Sequence, residues 1–466
     1  MEGPYIRRIH LPLIILLALT ASVRLFFLFD GHAIWWDSAV YAGMGKSIFS
    51  LGQIGLWEPI RPLFWPTVLG FFWSAKVDVL AAGNFLQICL SVASIYLVYE
   101  ISRIVFGGRT ALLAATIFSF SPIFFFMEYR NYVEIPALFF LLVSVWMILK
   151  KNDLVAGAFF GLSLVTKFTM LVFIVPLIIY FVVNGKLKKA IFFSLGSAIF
   201  LVPFLVFNLI YYGSAIFPFV EANRVIHQVA GCNVVNYQPW HLYFRMILSE
   251  NLLYLLLPIG LLISLRKFNN QKFLLLLSLL VPFAYLLSLN CREYRYMIIF
   301  LPFAGVFSAY CLYRLTIRLD NRLFFVMVAA VLLISSVLAI NYYRKNEQGT
   351  KPEEFFQYLD DKEARAEIWT SNPIVALHSE KKLGLLYYPV YNAELAKNFR
   401  NYIISHADNI SYVLIDSCGG GMTCVDAQCS YESEQLVRIL GANFETAYNK
   451  SLQGCNYLIF HNPMAG

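Results

Sequence analysis

Apolar runs near 20 residues long recur through the first 340 residues, and no other feature restricts the possible folds as strongly. A run of that length suits a helix crossing the hydrocarbon core, where backbone amides must be satisfied within their own segment. The runs lie near 11–29, 84–101, 111–127, 135–149, 190–211, 252–265, 273–289, 296–313 and 323–340. Composition agrees, since only 14% of residues are charged, against about 25% in soluble domains. Soluble, disordered and coiled-coil classes are thereby excluded. The formal charge of +8 does not indicate nucleic acid, because the basic residues are strung between apolar runs rather than gathered on one stripe.

Two segments are ambiguous. Residues 62–75 are short of a crossing and contain Pro66, while 154–183 is too long for one crossing and is interrupted at Thr166-Lys167-Phe168-Thr169. The positive-inside rule chooses between topologies. With 62–75 on one side and 154–183 folded back, Arg7/Arg8, Arg103/Arg109, Lys150/Lys151, Lys186/Lys188/Lys189, Arg266/Lys267/Lys272 and Arg314/Arg318/Arg322 all fall on the cytoplasmic face. The expectation is an all-α polytopic cell-membrane domain over residues 1–341 with about eleven spans. Its N-terminus is cytoplasmic and its outer loops are 30–83 and 213–251. The first run reads as a retained helix, since no small-residue cleavage site closes it.

Residues 342–466 turn polar. Short β-like runs (367–370, 412–415, 457–460) alternate with helical stretches (394–405, 433–440), predicting a small extracytoplasmic α/β domain. Cys418, Cys424, Cys429 and Cys455 fall inside it. Outside the cytoplasm such a cluster predicts one or two disulfides rather than a zinc site, with the pairing open.

Charge near a bilayer needs a partner or a function, and here it concentrates on the predicted outer face. The first outer loop carries Trp35-Trp36-Asp37-Ser38 and Tyr41, then Glu58 and Arg61-Pro62. Tryptophans favour the headgroup level, so Asp37 is placed to deprotonate a hydroxyl or amine there; the alternative is a helix cap. Glu128, Arg130 and Glu134 crowd one hairpin, where a satisfied ion pair is the alternative. Arg292 and Arg295 flank Glu293-Tyr294, and either arginine can fork onto a phosphate or anchor the interface. Lys167, at a deep turn, calls for an anion. One carboxylate with several cations at one face suits a phosphate-bearing lipid with a polar headgroup.

Other motifs fail. Gly43-Met44-Gly45-Lys46-Ser47 ends like a phosphate loop, but Val40 stands where the first glycine must be. There is no GxSxG, no HExxH and no Asp-x-Asp in the first outer loop, and the histidines are scattered. No cofactor is expected; a divalent metal is possible but unsupported by the sequence.

The order of motifs over roughly residues 8–320 resembles the C-type (GT-C) membrane glycosyltransferases, especially the group of protein O-mannosyltransferases and the lipid A aminoarabinose transferase. It comprises Asp37 to Tyr41, Arg61-Pro62 to Pro66, Glu134 after Arg130, Gly161-Leu162 to Thr166-Lys167, Asn208 with Tyr211-Tyr212-Gly213 and Phe217-Pro218, and Arg295-Tyr296 to Pro302. The resemblance implies transfer of a sugar from a polyprenyl- or dolichyl-phosphate donor to a lipid, glycan or protein acceptor on the outer face, with inversion. It implies Asp37 as general base, with Arg61, Lys167 and Arg295 holding the departing phosphate and Glu134 positioning the acceptor. Tyr41, Glu128, Arg130, Arg292 and Tyr296 complete the expected substrate-binding set. The sequence departs from the pattern at Ser38, where many relatives carry a second acidic residue. The rival expectation is a secondary transporter or lipid-linked sugar flippase without catalysis, which would show internal repeats and midplane charges.

Overall fold

The structure, a computed structural model, describes residues 4–228, 238–266, 268–289, 292–347, 352–363, 366–388, 391–418, 421–424 and 426–465. Lys267 and part of the 213–251 loop lie outside them.

The chain is mostly helical, as its apolar runs require, but its crossings are uneven. Among the described residues four helices are long and apolar enough to cross a membrane: Val79–Phe106, Leu187–Tyr212, Asn270–Ser288 and Asn321–Asn346. Leu242–Glu250 and Leu252–Leu265, bent by 117°, make a fifth if taken as one broken span. Leu11–Phe27, Glu134–Leu149, Asp153–Thr166 and Phe168–Val183 are apolar but shorter. The eleven spans read from hydropathy are therefore not all matched by helices of crossing length. Hydropathy counts apolar residues and is blind to breaks in the hydrogen-bond ladder. Such breaks fall at Lys167 and Asn251, both extended, each followed by a 3-10 turn. A third 3-10 turn, Tyr294–Ile299, precedes the helix Leu301–Leu315.

Local sequence sets the helix starts. Asp78, Asn269 and Asp320 each accept a backbone N–H three residues on, capping the helices that follow them. Small residues set one close crossing. Gly157 and Gly161 of Asp153–Thr166 face Phe193 and Ser197 of Leu187–Tyr212, where an added Cβ would collide with backbone carbonyls. The hydroxyl of Ser197 donates to the Gly157 carbonyl at 3.0 Å. Lys167, at the end of the first of these helices, is thereby held on a rigid base.

The first long loop folds into two helices, Trp36–Phe49 and Phe64–Ser74. They cross at Gly45 and Gly70; a Cβ on Gly45 would lie 2.6 Å from the Gly70 nitrogen. Of the glycines that resemble a phosphate loop, Gly45 is thus a helix-packing contact, and Gly43 packs on Leu56 and Ala376.

The C-terminal sheet has the order β2-β1-β3-β5-β4, with β1 Glu367–Thr370, β2 Leu383–Leu385, β3 Ile410–Asp416, β4 Glu445–Leu452 and β5 Cys455–His461. Strands β2, β1 and β3 are parallel, and β3, β5 and β4 antiparallel. Helices Ala393–Ser405 and Ala427–Asn443 cover one face, where Val413 and Ile415 pack with Leu436 and Leu440. On the other face Tyr412 and Leu414 share a core with Ala39, Val40 and Met44 of the first long loop. Strand β3 is buried throughout because both of its faces are covered. Two disulfides, Cys418–Cys455 and Cys424–Cys429, bear out the reading of the clustered cysteines.

The module is also stitched to the loop by backbone. Gly55 accepts from Leu383 N–H at 2.8 Å and donates to the Lys381 carbonyl at 2.9 Å, covering the edge of β2. Gly55 has φ +85° and no room for a side chain beside the Gly43 carbonyl. Lys46 Nζ donates to the carbonyls of Leu377 and Ser379 and to Glu380, closing the C-terminal end of the turn Val375–His378.

Candidate functional site

Asp37 opens the helix Trp36–Phe49 but does not cap it, since no side chain bonds that helix end. Its carboxylate turns instead toward two guanidinium groups. Oδ1 accepts from Arg61 Nη2 at 2.8 Å and Oδ2 from Arg295 Nη1 at 2.6 Å. Burial by itself would raise the Asp37 pKa; Arg61 and Arg295 outweigh it and hold the carboxyl below the usual carboxylate range.

Each arginine is bound on its other side. Arg61 Nε donates to Glu58 Oε2 at 2.7 Å, and its guanidinium sits over the Tyr41 ring at 5.5 Å. Arg295 Nε lies 2.5 Å from Glu293 Oε2 and 3.8 Å from Glu134 Oε1. Its guanidinium lies over Tyr132 at 4.8 Å and Tyr296 at 5.6 Å. Lys167 Nζ donates to Glu134 Oε1 at 2.8 Å and faces the Tyr296 ring at 5.3 Å. Asp37, Tyr41, Arg61, Glu134, Lys167, Arg295 and Tyr296 therefore form one connected cluster. With Glu58 and Glu293, four acidic and three basic side chains alternate through it, walled by tyrosines.

Glu128, Arg130 and Arg292, expected with them, stand elsewhere. Glu128 is fully buried against Arg24, with oxygen to Nε at 2.7 Å, in a pair that also engages Ser91. Arg130 donates to the Ala33 carbonyl at 2.6 Å and pairs with Glu347, its guanidinium over the rings of Phe126 and Trp35. Arg292 donates to the carbonyls of Gln238 and Leu287. In all three the charge is met by partners outside that cluster. Ser38, at the departure from the family pattern, donates its hydroxyl to the Arg130 carbonyl.

Other residues of the site carry weak or no sequence signals. Glu58 sits three residues from Arg61, a spacing that suggests a local pair, whereas Glu293 sits only two from Arg295, a spacing that does not. Tyr387, from the C-terminal module, packs edge-on against Trp36 at 4.5 Å. Burial, then Glu58, pushes its phenol well above the ordinary value. Nothing in Leu385-Leu386-Tyr387-Tyr388 marks it. Glu250, at the bend of the broken pair, accepts from Ser121, from Ile123 N–H and from the Tyr294 hydroxyl next to Arg295. Among the described residues no three of His, Cys, Asp and Glu gather in a group that could hold a metal ion. The carboxylates of Asp37, Glu58, Glu134 and Glu293 face cations instead.

A multi-span helical body of broken helices, with a cation-and-carboxylate cluster under a small α/β module, defines the class: this is an integral membrane protein with the fold of the C-type membrane glycosyltransferases. Residues 61–211 match the family described as dolichyl-phosphate-mannose-protein mannosyltransferase. ArnT from Cupriavidus metallidurans, bound to undecaprenyl phosphate, superposes with a TM-score of 0.71 at 12% identity, over 97% of this chain and 99% of that one. The oligosaccharyltransferase AglB from Archaeoglobus fulgidus, in complex with an inhibitory peptide and a dolichol-phosphate, gives 0.64 at 14% identity, over 96% and 74%. The arabinofuranosyltransferase AftD from Mycobacteria gives 0.57 at 12% identity, over 96% and 41%. No curated protein sequence matches the chain significantly.

Proposed function

We propose that the protein transfers a sugar from a polyprenyl- or dolichyl-phosphate-linked donor to a lipid, glycan or protein acceptor, inverting the anomeric centre. The observation that carries this reading is the pairing of both Asp37 oxygens with Arg61 and Arg295, beside Lys167 and Glu134. Residues 1–341 form the catalytic membrane domain and 342–466 a module that shapes acceptor access. The N-terminus is cytoplasmic, and the cluster faces the extracytoplasmic side.

The chemistry needs one base and a sink for phosphate charge. Asp37 takes the acceptor proton as the acceptor oxygen or nitrogen bonds to the anomeric carbon. The bond from that carbon to the phosphate oxygen breaks, and its electron pair leaves with the lipid phosphate. Arg61, Arg295 and Lys167 stabilise the charge that develops there. A carboxylate gripped by two guanidiniums is a weak base, so the resting cluster is a guarded state. A donor phosphate competes for the same arginines, and as they turn to it Asp37 regains basicity. Donor binding thus arms the base.

The test is sugar transfer from a labelled polyprenyl-phosphate sugar by the full-length protein. Asp37→Asn lowers kcat by about 10²–10⁴-fold while lipid-phosphate binding persists, because the freed arginines still meet the phosphate. Undiminished transfer by this variant removes Asp37 as the base. Lipid-linked sugar crossing the bilayer without transfer by the native protein favours the flippase reading instead.

A further inference from the structure

A cavity of about 420 Å³ opens beside the cluster, between loop residues 32–36 and the C-terminal module. The two share walls. Trp36 immediately precedes Asp37, and Tyr132 lies under the Arg295 guanidinium at 4.8 Å. We propose that this cavity binds an uncharged saccharide unit of the acceptor, an inference that rests on the sugar-transfer reading above.

The lining chemistry selects that ligand. The aromatic side chains of Trp35, Trp36, Tyr132 and Phe356 line it, and Trp35 and Trp36 are only half-buried; the C–H face of a pyranose packs on such rings against their negative quadrupole. Gln357, Glu353, His32 and His378 supply the few directional polar groups such a pocket uses to orient a ligand. His32 is held by its Nδ1, 2.9 Å from the Tyr343 hydroxyl, and by stacking on Tyr129, leaving its buried Nε2 without a partner among the described residues. A buried ring nitrogen in that state is a waiting hydrogen-bond site.

Two rival ligands fit less well. No lysine or arginine is among the described lining residues, and the guanidiniums behind the walls, Arg130 and Arg295, are already paired with Glu347 and with Asp37 and Glu293, so a phosphate finds no unpaired counter-charge here. An extended peptide would gain most from a free strand edge, but no strand residue is among the described lining residues.

The experiment titrates the full-length protein in lipid nanodiscs with methyl mannoside, methyl glucoside, methyl galactoside, lactose and cellobiose while tryptophan emission is followed. A saturable change with at least one sugar is expected, with affinity about tenfold weaker in His378→Ala through loss of one hydrogen bond in a desolvated site. Gln357→Ala, exposed at the mouth, gives the same weakening should His378→Ala not fold. A response to inorganic phosphate or to the peptide Ala-Ser-Ala, with none to any sugar, overturns the proposal, and so does silence to every probe. Sugar binding without transfer from the labelled donor removes the enzymatic reading and leaves the cavity's ligand class standing; transfer without sugar binding does the reverse.

Discussion

Arg295 donates to Asp37 at 2.6 Å across 258 residues of chain. That bond joins the start of the first loop helix to the 3-10 turn before a late helix, and Arg61 closes it from the other side. The opposed demands on Asp37, burial against two guanidiniums, set the first expectation.

In the resting protein the Asp37 carboxyl titrates below its ordinary value of 3.8. Its contribution to stability is therefore present above that value and is lost as pH falls through the lower folded pKa. The acid limb of kcat/KM, which reports the free enzyme, should carry no Asp37 titration in the ordinary carboxylate range. In kcat, which reports the loaded enzyme, the limb should move upward. Arg61→Met should raise the free-enzyme limb by about one pH unit or more, as loss of an adjacent cation does. A pH–rate profile unchanged by that substitution contradicts the arming step.

Lys167 holds a carboxylate that is almost wholly buried. Lys167→Ala leaves Glu134 with Arg295 Nε at 3.8 Å as its nearest remaining cation in the cluster. A loss of about 3 kcal/mol is expected from breaking the pair. Adding Glu134→Gln should recover part of the fall in Tm without restoring donor affinity. Thermal unfolding of the two variants beside donor titration separates the roles.

Glu128 should behave oppositely. Its pairing with Arg24 is completely buried and lies apart from the cluster. Glu128→Gln strands a guanidinium in the core, at a cost of about 3–5 kcal/mol. The double variant Arg24→Met, Glu128→Leu should return much of the lost Tm. Donor KM should change in neither; a raised KM in the double variant would place Glu128 back among the ligand-binding groups.

His32 and His378 face the same cavity from its two sides. Burial lowers both pKa values from the ordinary 6.5, more than Glu347 beside His32 and Asp360 beside His378 raise them. The unfolded chain therefore takes up protons below about pH 6.5 that the folded protein resists, and stability falls as pH drops through that value. The Tm measured between about pH 8 and pH 5 should decline, and the decline should flatten in a His32→Gln, His378→Gln variant.

Much of the candidate cluster was legible residue by residue. The charge pattern of the loops and the order of motifs singled out Asp37, Arg61, Glu134, Lys167 and Arg295, because a charged residue beside an apolar run has few uses. Glu128, Arg130 and Arg292 satisfied the same criterion and went elsewhere. A linear pattern reports that a charge needs a partner, and it does not report which partner is nearer. Arg24, Glu347 and the carbonyl of Gln238 became neighbours only through folding. Tyr387 and Glu250 carried no sequence mark at all.

The sequence by itself determined a helical membrane body, a polar C-terminal α/β module and its disulfide chemistry. These follow from transfer free energies and backbone hydrogen bonding, which act over one segment at a time. Only tertiary structure decided how many helices are long enough to cross, which charges converge on Asp37, and that the first loop completes the module's core. Those outcomes depend on distances between segments tens to hundreds of residues apart, fixed by helix crossings such as Gly45 on Gly70 and by breaks at Lys167 and Asn251.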